Sequence, residues 1–407
     1  MRRLLRTLWE ITGIAFGAFL LLNVAAWLYL ESRPPDSAER GLFVHRNSAR
    51  GMKIRSRIFG TEDRELLLAY GAAPGIRPHP VLHFAEGESR PYFTVGIEGA
   101  RYLPGWTDGF VRSVLHEGGD VFVFGGSTTF GHGVPDHDTV VAELNRLEPG
   151  RTWINFAAQA HDSIREVDKL LHLLRKGHRP ERVVFIDGLN DIASFARSPY
   201  AIHDSPRAQG LILDRGEVPL IFGYPTAQNM WLALAYSFPV THVLHDWMAP
   251  EASADGERRS DTRLDTRADW QQLMRYHYDW ARIHVDRSDR LGADVVRYYE
   301  EAIAFVAALG RAFGFSADFV YQPIGLLEEA QPFLTPAFRD SDQYAVYRGV
   351  DAAIREAIAS GRLAMRDCSP SIADAGVADS YVDATHYSPL GGRVLARCIL
   401  TTAEGGR

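Results

Sequence analysis

Four polar clusters in this 407-residue chain each follow a short apolar run or lie close to the C-terminus. They are Gly125-Gly126-Ser127, the stretch from Asn155 to His161, Gly188-Leu-Asn190-Asp191, and Asp383 with His386. A serine hydroxyl is a weak nucleophile at neutral pH and needs an adjacent base. His386 is the candidate base. Asp383, three residues earlier, is the carboxylate that could fix its tautomer and orientation. Acyl transfer also needs donors aimed at the developing negative charge. The Ser127 backbone N–H, a backbone N–H near Ala160 and the Asn190 side-chain amide could supply them. Gly126 and its neighbour permit the tight turn that would expose Ser127. Gly188 leads into the loop that carries Asn190, and Asp191 reads as a residue that holds that loop. His132 and His161 read as loop histidines, with substrate contact as the alternative.

A phosphate-binding loop at Gly125–Gly131 is the competing reading, since a helix N-terminus after a glycine turn attracts anions. The lysine of a Gly-Lys-Ser/Thr loop is missing, and no Gly-x-Gly-x-x-Gly aligns. That reading also leaves Asp383 and His386 without a role.

These residues need elements that bring them together. From Asp120 onward, short apolar runs alternate with amphipathic stretches, the pattern of βαβ units around a parallel sheet. Strands are expected at Val121–Phe124, Trp153–Phe156, Val183–Ile186, Phe319–Tyr321 and Leu363–Met365. Their continuous apolar character suits strands buried on both faces. Helices are expected near Thr139–Leu147, Ser163–Lys176, Val295–Arg311 and Tyr347–Ser360, with a last one after Ser388. Ligands of open α/β sheets bind beyond the carboxyl ends of the strands, where the polar clusters would converge.

Other stretches bound the organisation. Residues 32–115 read as a linker and a β-rich or irregular lead-in, ahead of a main domain over 116–407. An insertion at about 192–292 exceeds what a crossover needs and suggests a lid or a surface loop. Within it, Met230–Trp247 reads as a packed cap, or as an amphipathic helix on a membrane. Trp270, Tyr276, Tyr278 and Trp280 read as core residues, with sugar stacking as the alternative.

The N-terminus speaks for a membrane. Ile11–Leu30 carries no charge and follows Arg2, Arg3 and Arg6. About 20 apolar residues span a bilayer as a helix, and the arginines put residues 1–31 in the role of a cytoplasmic end and an anchor. A cleaved signal peptide is the alternative, but the run is long and ends in bulky residues. The net charge of -7 speaks against nucleic acid as a partner. No Cys/His cluster has zinc spacing, and no metal or cofactor is expected. Cys368 and Cys398 read as two buried apolar residues, or as a disulfide in an oxidising compartment.

Taken in order, the blocks resemble the SGNH/GDSL hydrolase superfamily, in particular its membrane-anchored bacterial members. Ser127 and Gly131 match its first block, Gly188 to Asp191 its Gly-x-Asn-Asp block, and Asp383 to His386 its Asp-x-x-His block. The resemblance runs from Asp120 to Glu404. It implies a three-layer α/β/α sandwich with a flavodoxin-like, five-stranded parallel sheet. It also implies Ser127, His386 and Asp383 as catalytic residues, an oxyanion hole from Ser127, Ala160 and Asn190, and a periplasmic serine esterase held at the inner membrane. O-acyl esters of glycans are the implied substrates. An acyltransferase on polysaccharide with the same residues, or an inactive glycan-binding protein, stands beside that reading. Two positions depart from the pattern. Gly126 replaces the aspartate of Gly-Asp-Ser, and Ala160 stands where a glycine is usual, which strains it if the site demands positive φ.

Overall fold

The computed structural model describes residues 12–25, 43–71, 76–79, 83–86, 89–117, 120–197 and 288–401. Residues 12–25 form a helix in a unit separate from the rest. Its apolar side chains are exposed, Ile14 and Leu21 most of all. Among the described residues no helix is long and apolar enough to cross a membrane. The expected span Ile11–Leu30 is described only over those fourteen residues. Met230–Trp247, Trp270, Tyr276, Tyr278 and Trp280 lie outside the described residues.

The second unit begins with helices α1 (Ala49–Phe59) and α2 (Arg64–Tyr70) and an antiparallel hairpin, β1 (Ile76–His79) with β2 (His83–Glu86). Strands β3 (Thr94–Val95) and β4 (Arg101–Tyr102) and helix α3 (Asp108–Glu117) follow. Among the described residues the lead-in thus holds helices beside four short strands. Side-chain caps explain where two of these helices start: Ser48 accepts from the Gly51 N–H, and Asp63 accepts from the Leu66 N–H.

The α/β pattern then sets in. Strand β5 (Asp120–Gly125) leads to the short helix α4 (Ser127–Phe130) and to α5 (Val140–Leu147). Next come β6 (Thr152–Asn155), α6 (Ser163–Arg175), β7 (Arg182–Asp187) and α7 (Leu189–Arg197). After the residues outside the description come α8 (Ser288–Phe313), β8 (Ser316–Tyr321), α9 (Asp342–Ala359), β9 (Arg366–Asp367) and α10 (Pro389–Leu400). Five strands pair in parallel in the spatial order β6-β5-β7-β8-β9. The sheet has seven strands rather than the expected five, because β4 joins the edge of β6 antiparallel and carries β3 with it.

Alternation along each central strand builds the layers. Phe122, Phe124, Val183 and Phe185 point into one core with Leu170 and Leu173 of α6, Ile192 of α7, Val295 of α8 and Val350 of α9. Val121, Val123, Val184 and Ile186 point into the other, with Val140 and Leu144 of α5 and Leu395 and Ile399 of α10. Both faces are covered, so the strands read as unbroken apolar runs.

The last strand is displaced from its expected place. Leu363 and Met365 are buried, but they pack in the core beneath the end of α9. The paired residues are Arg366 and Asp367, opposite Val320 and Tyr321. Just beyond, Cys368 and Cys398 form a disulfide across a sequence separation of 30, which settles the choice left open by the sequence. A closed loop of that length constrains the unfolded chain by about 3.5 kcal/mol. The double variant Cys368→Ala, Cys398→Ala is expected to lose about that much in chemical unfolding. Equal stability would mean that the bridge contributes nothing.

Candidate active site

Every expected site residue lies at the carboxyl rim of the parallel strands or in the loop before α10. Strand β5 runs directly into Gly126 and then Ser127, the first residue of α4. Gly131 closes that short helix with φ 89, and its N–H bonds back to the Ser127 carbonyl at 3.1 Å. Only a residue tolerant of the left-handed region ends a turn this way without strain.

The loop after α4 is fixed from the edge of the sheet. Arg101 of β4 is 2% exposed, and its Nη1 donates to the carbonyls of Phe130 at 2.8 Å and Gly131 at 2.6 Å. Its Nη2 donates to the Val134 carbonyl at 2.7 Å, and its Nε to Asp136 at 2.9 Å. Burial pushes the Asp136 carboxyl up, and Arg101 opposes the rise. The two additional antiparallel strands thus deliver the guanidinium that holds the turn after Ser127.

His386 and Asp383 stand in a tight excursion between Tyr381 and Tyr387, which form an antiparallel bridge. Ser388 caps α10 by accepting from the N–H groups of Leu390 and Gly391, with Pro389 at the first helical position. Asp383 Oδ1 accepts the backbone N–H groups of Thr385 at 2.9 Å and His386 at 2.8 Å. The carboxylate is therefore oriented by its own turn before it meets the imidazole.

The structure brings Ser127, His386 and Asp383 into one hydrogen-bond chain. His386 Nδ1 lies 2.8 Å from Asp383 Oδ2 and 2.9 Å from Oδ1. His386 Nε2 lies 2.9 Å from Ser127 Oγ. A carboxylate only accepts, so Nδ1 carries the proton, and Nε2 is left to accept from the serine hydroxyl. Burial opposes ionisation of Asp383, but His386 and Arg46 outweigh it and hold the carboxyl well below the usual range. A hydroxyl, a basic nitrogen and an ionised orienting group in this sequence can generate an alkoxide-like nucleophile.

Asn190 stands beside the serine turn. Its Nδ2 donates to the His161 carbonyl at 2.7 Å. A Cβ built on Gly126 would come within 2.1 Å of that same nitrogen. The amide therefore packs against the glycine immediately before Ser127. A side chain at 126 would meet the amide unless Asn190 moved aside.

Ala160 has φ 55, so the alanine occupies the conformation that glycine adopts freely. That geometry costs a non-glycine residue about 1–2 kcal/mol. Ala160→Gly would relieve it while adding about 0.4–1 kcal/mol of chain entropy to the unfolded state. A net gain of roughly 0.5–1 kcal/mol is expected, read as a rise in melting temperature. A fall would mean that the strain is absent.

Asp191 does not face Ser127. It is 1% exposed and accepts from the N–H of Ser163 at 3.1 Å and from its hydroxyl at 2.5 Å, tying the start of α7 to that of α6. Burial and then Asp162 push its carboxyl up to about 6. Glu166 and Asp187 lie behind it and are raised well above the carboxylate range: Glu166 by burial and then the charges of Asp187 and Asp191, Asp187 by burial and then the charge of Asp191, against a hydrogen bond from Glu166 that lowers it. Gly188 is buried at the junction of β7 and α7. His161 is 1% exposed and presents its carbonyl to Asn190. His132 is buried against His386, with ring centroids 4.6 Å apart. Arg46 also reaches this cluster. No local motif marks it, since 337 positions separate it from its partner Asp383. Among the described residues no group of three or more His, Cys, Asp and Glu side chains could hold a metal ion.

No family model matches the chain, and no curated protein matches it. Among solved structures it is similar to the acetyl xylan esterase AlAXEase, at 11% identity and a TM-score of 0.34, over 69% of this chain and 98% of that one. It is also similar to LAE5, an α/β hydrolase enzyme from the metagenome of Lake Arreo, Spain, at 11% identity and a TM-score of 0.33. That match covers 70% of this chain and 94% of the other. Likenesses this distant fix neither family nor activity.

Proposed function

We propose that the chain is an SGNH-type serine esterase that cleaves O-acyl esters. The observation that carries this reading is the chain of hydrogen bonds from Ser127 through His386 to Asp383. Ser127 Oγ attacks the ester carbonyl while His386 Nε2 takes its proton. Asp383 stabilises the imidazolium that forms. The oxyanion of the tetrahedral intermediate meets the Ser127 N–H, the Asn190 amide and the backbone N–H of Ala160. Collapse of the intermediate expels the alcohol, which leaves with the proton from His386. Water, activated by the same histidine, then releases the acyl group from Ser127.

The disulfide and the apolar N-terminal stretch support an extracytoplasmic domain held at a membrane by residues 1–31. In that setting, acyl esters of surface glycans are the substrate class that suits the site. The test is a panel of short-chain acyl esters, including acetylated sugars, given to the purified full chain. Turnover of short-chain esters is expected. Faster transfer to added sugar oligomers than to water would make the enzyme an acyltransferase instead. No turnover of any ester, with no acyl-enzyme formed, would overturn the reading.

Asn190→Ala is expected to lower kcat by about 10²–10³-fold, the usual effect of deleting one oxyanion donor. Wild-type turnover in that variant would remove Asn190 from the hole.

A further inference from the structure

The segment before the sheet enters the site through one side chain. Arg46 precedes α1, and its Nη1 donates to Asp383 Oδ2 at 3.3 Å. The same nitrogen lies within hydrogen-bonding reach of His132 Nε2. Nη2 donates to the Gly71 carbonyl at 2.6 Å, just past the end of α2. The Arg46 side chain is 14% exposed, as is that of Asp383. A guanidinium has donors only, so His132 Nε2 must offer it a lone pair. The Gln159 side-chain amide lies 3.4 Å from its other nitrogen.

We propose that Arg46 is a positioning residue for acyl transfer: it clamps the Oδ2 edge of Asp383 and ties it to His132 and to the Gly71 carbonyl. The inference rests on Ser127 being the nucleophile of the proposed esterase. Among the described residues, Ser127 of α4, His132 of the loop after it, and Asp383 and Thr385 of its own turn lie against His386, and Arg46 from the lead-in reaches it through His132 and Asp383. Arg55 of α1 stands behind Arg46, fully buried, with Nη1 3.4 Å from Asn47 Oδ1. Burial and then the Arg46 charge push its guanidinium down to about 10. The lead-in therefore supplies the positive side of the site.

A lysine keeps the charge but cannot span a carboxylate, an imidazole and a carbonyl at once. The test is kcat/KM against pH for the full chain on a short-chain acyl ester, with R46Q and R46K beside wild type. Activity is taken per folded molecule, from thermal unfolding of each preparation. R46Q is expected to lose about 10- to 100-fold at neutral pH, the effect of one hydrogen bond to a charged group. Its acid limb should move to higher pH by about one unit, because a nearby cation no longer opposes the imidazolium. R46K should lose about 10-fold while its acid limb stays near that of wild type. A folded R46Q with an unmoved acid limb overturns the proposal, as does a loss that vanishes per folded molecule. If R46Q fails to fold, R46K decides: wild-type kcat/KM in it overturns the clamp, and a 10-fold loss sustains it. A wild-type protein without ester turnover is a different failure, that of the esterase reading itself.

Discussion

Ser127→Ala is expected to remove roughly 10⁴–10⁶-fold of the ester-cleaving activity while leaving the fold intact. The size follows from the chemistry. Without Oγ there is no covalent intermediate, and only the oxyanion donors and substrate binding remain. His386→Ala should cost about as much, because a serine and its base act as a unit and their losses do not add. Kinetics on the double variant check this. An effect equal to either single loss is expected, and a product of the two would show that the groups act separately. The serine side chain accepts no bond on which the turn depends, since Gly131 and Arg101 hold the loop through its backbone. Circular dichroism and melting temperature should therefore stay close to those of wild type.

Asp383→Asn is expected to cost about 10⁴-fold in kcat with the local geometry kept. An amide at this position offers a donor to Nδ1 and so favours the wrong tautomer of His386. It also loses the charge that Arg46 and the two backbone N–H groups are arranged to hold. The pH dependence has a definite sign. The carboxyl of Asp383 is depressed in the folded protein. The stability it contributes is present above the ordinary aspartate value near 3.9 and is lost only as pH falls towards its lowered value. The asparagine variant lacks that contribution at neutral pH, so the stability gap from wild type should close in strong acid. Acid titration of unfolding for both proteins checks it, and a constant gap across the range would argue against a depressed Asp383.

Much of the sheet was legible because its central strands are buried on both faces and carry little else than Val, Phe and Ile. Runs such as Val121–Phe124 need no partner to be recognised. The edges were not legible, for the same reason in reverse. Strand β9 is Arg366–Asp367, polar and short, while the apolar Leu363 and Met365 beside it fill the core beneath a helix. The pair β3 and β4 is only two residues long in each strand, below the length at which alternation can be read. Ser127, Asn190, Asp383 and His386 announced themselves because each sits in a short motif at the end of an element. Arg46 and Arg101 did not, since a guanidinium that crosses the fold to a carboxylate or to a row of carbonyls leaves no pattern along the chain. The backbone at Ala160 is not legible in the sequence, since nothing along the chain marks a positive φ, and the structure gives it φ 55.

Labelling with a fluorophosphonate shows whether Ser127 is an activated nucleophile. The purified full chain is incubated with the probe, digested, and its peptides are mapped by mass spectrometry. One adduct is expected, on Ser127, with labelling slowed by orders of magnitude in His386→Ala. An unlabelled wild-type protein, or an adduct on another residue while ester turnover continues, would rule out Ser127 as the nucleophile.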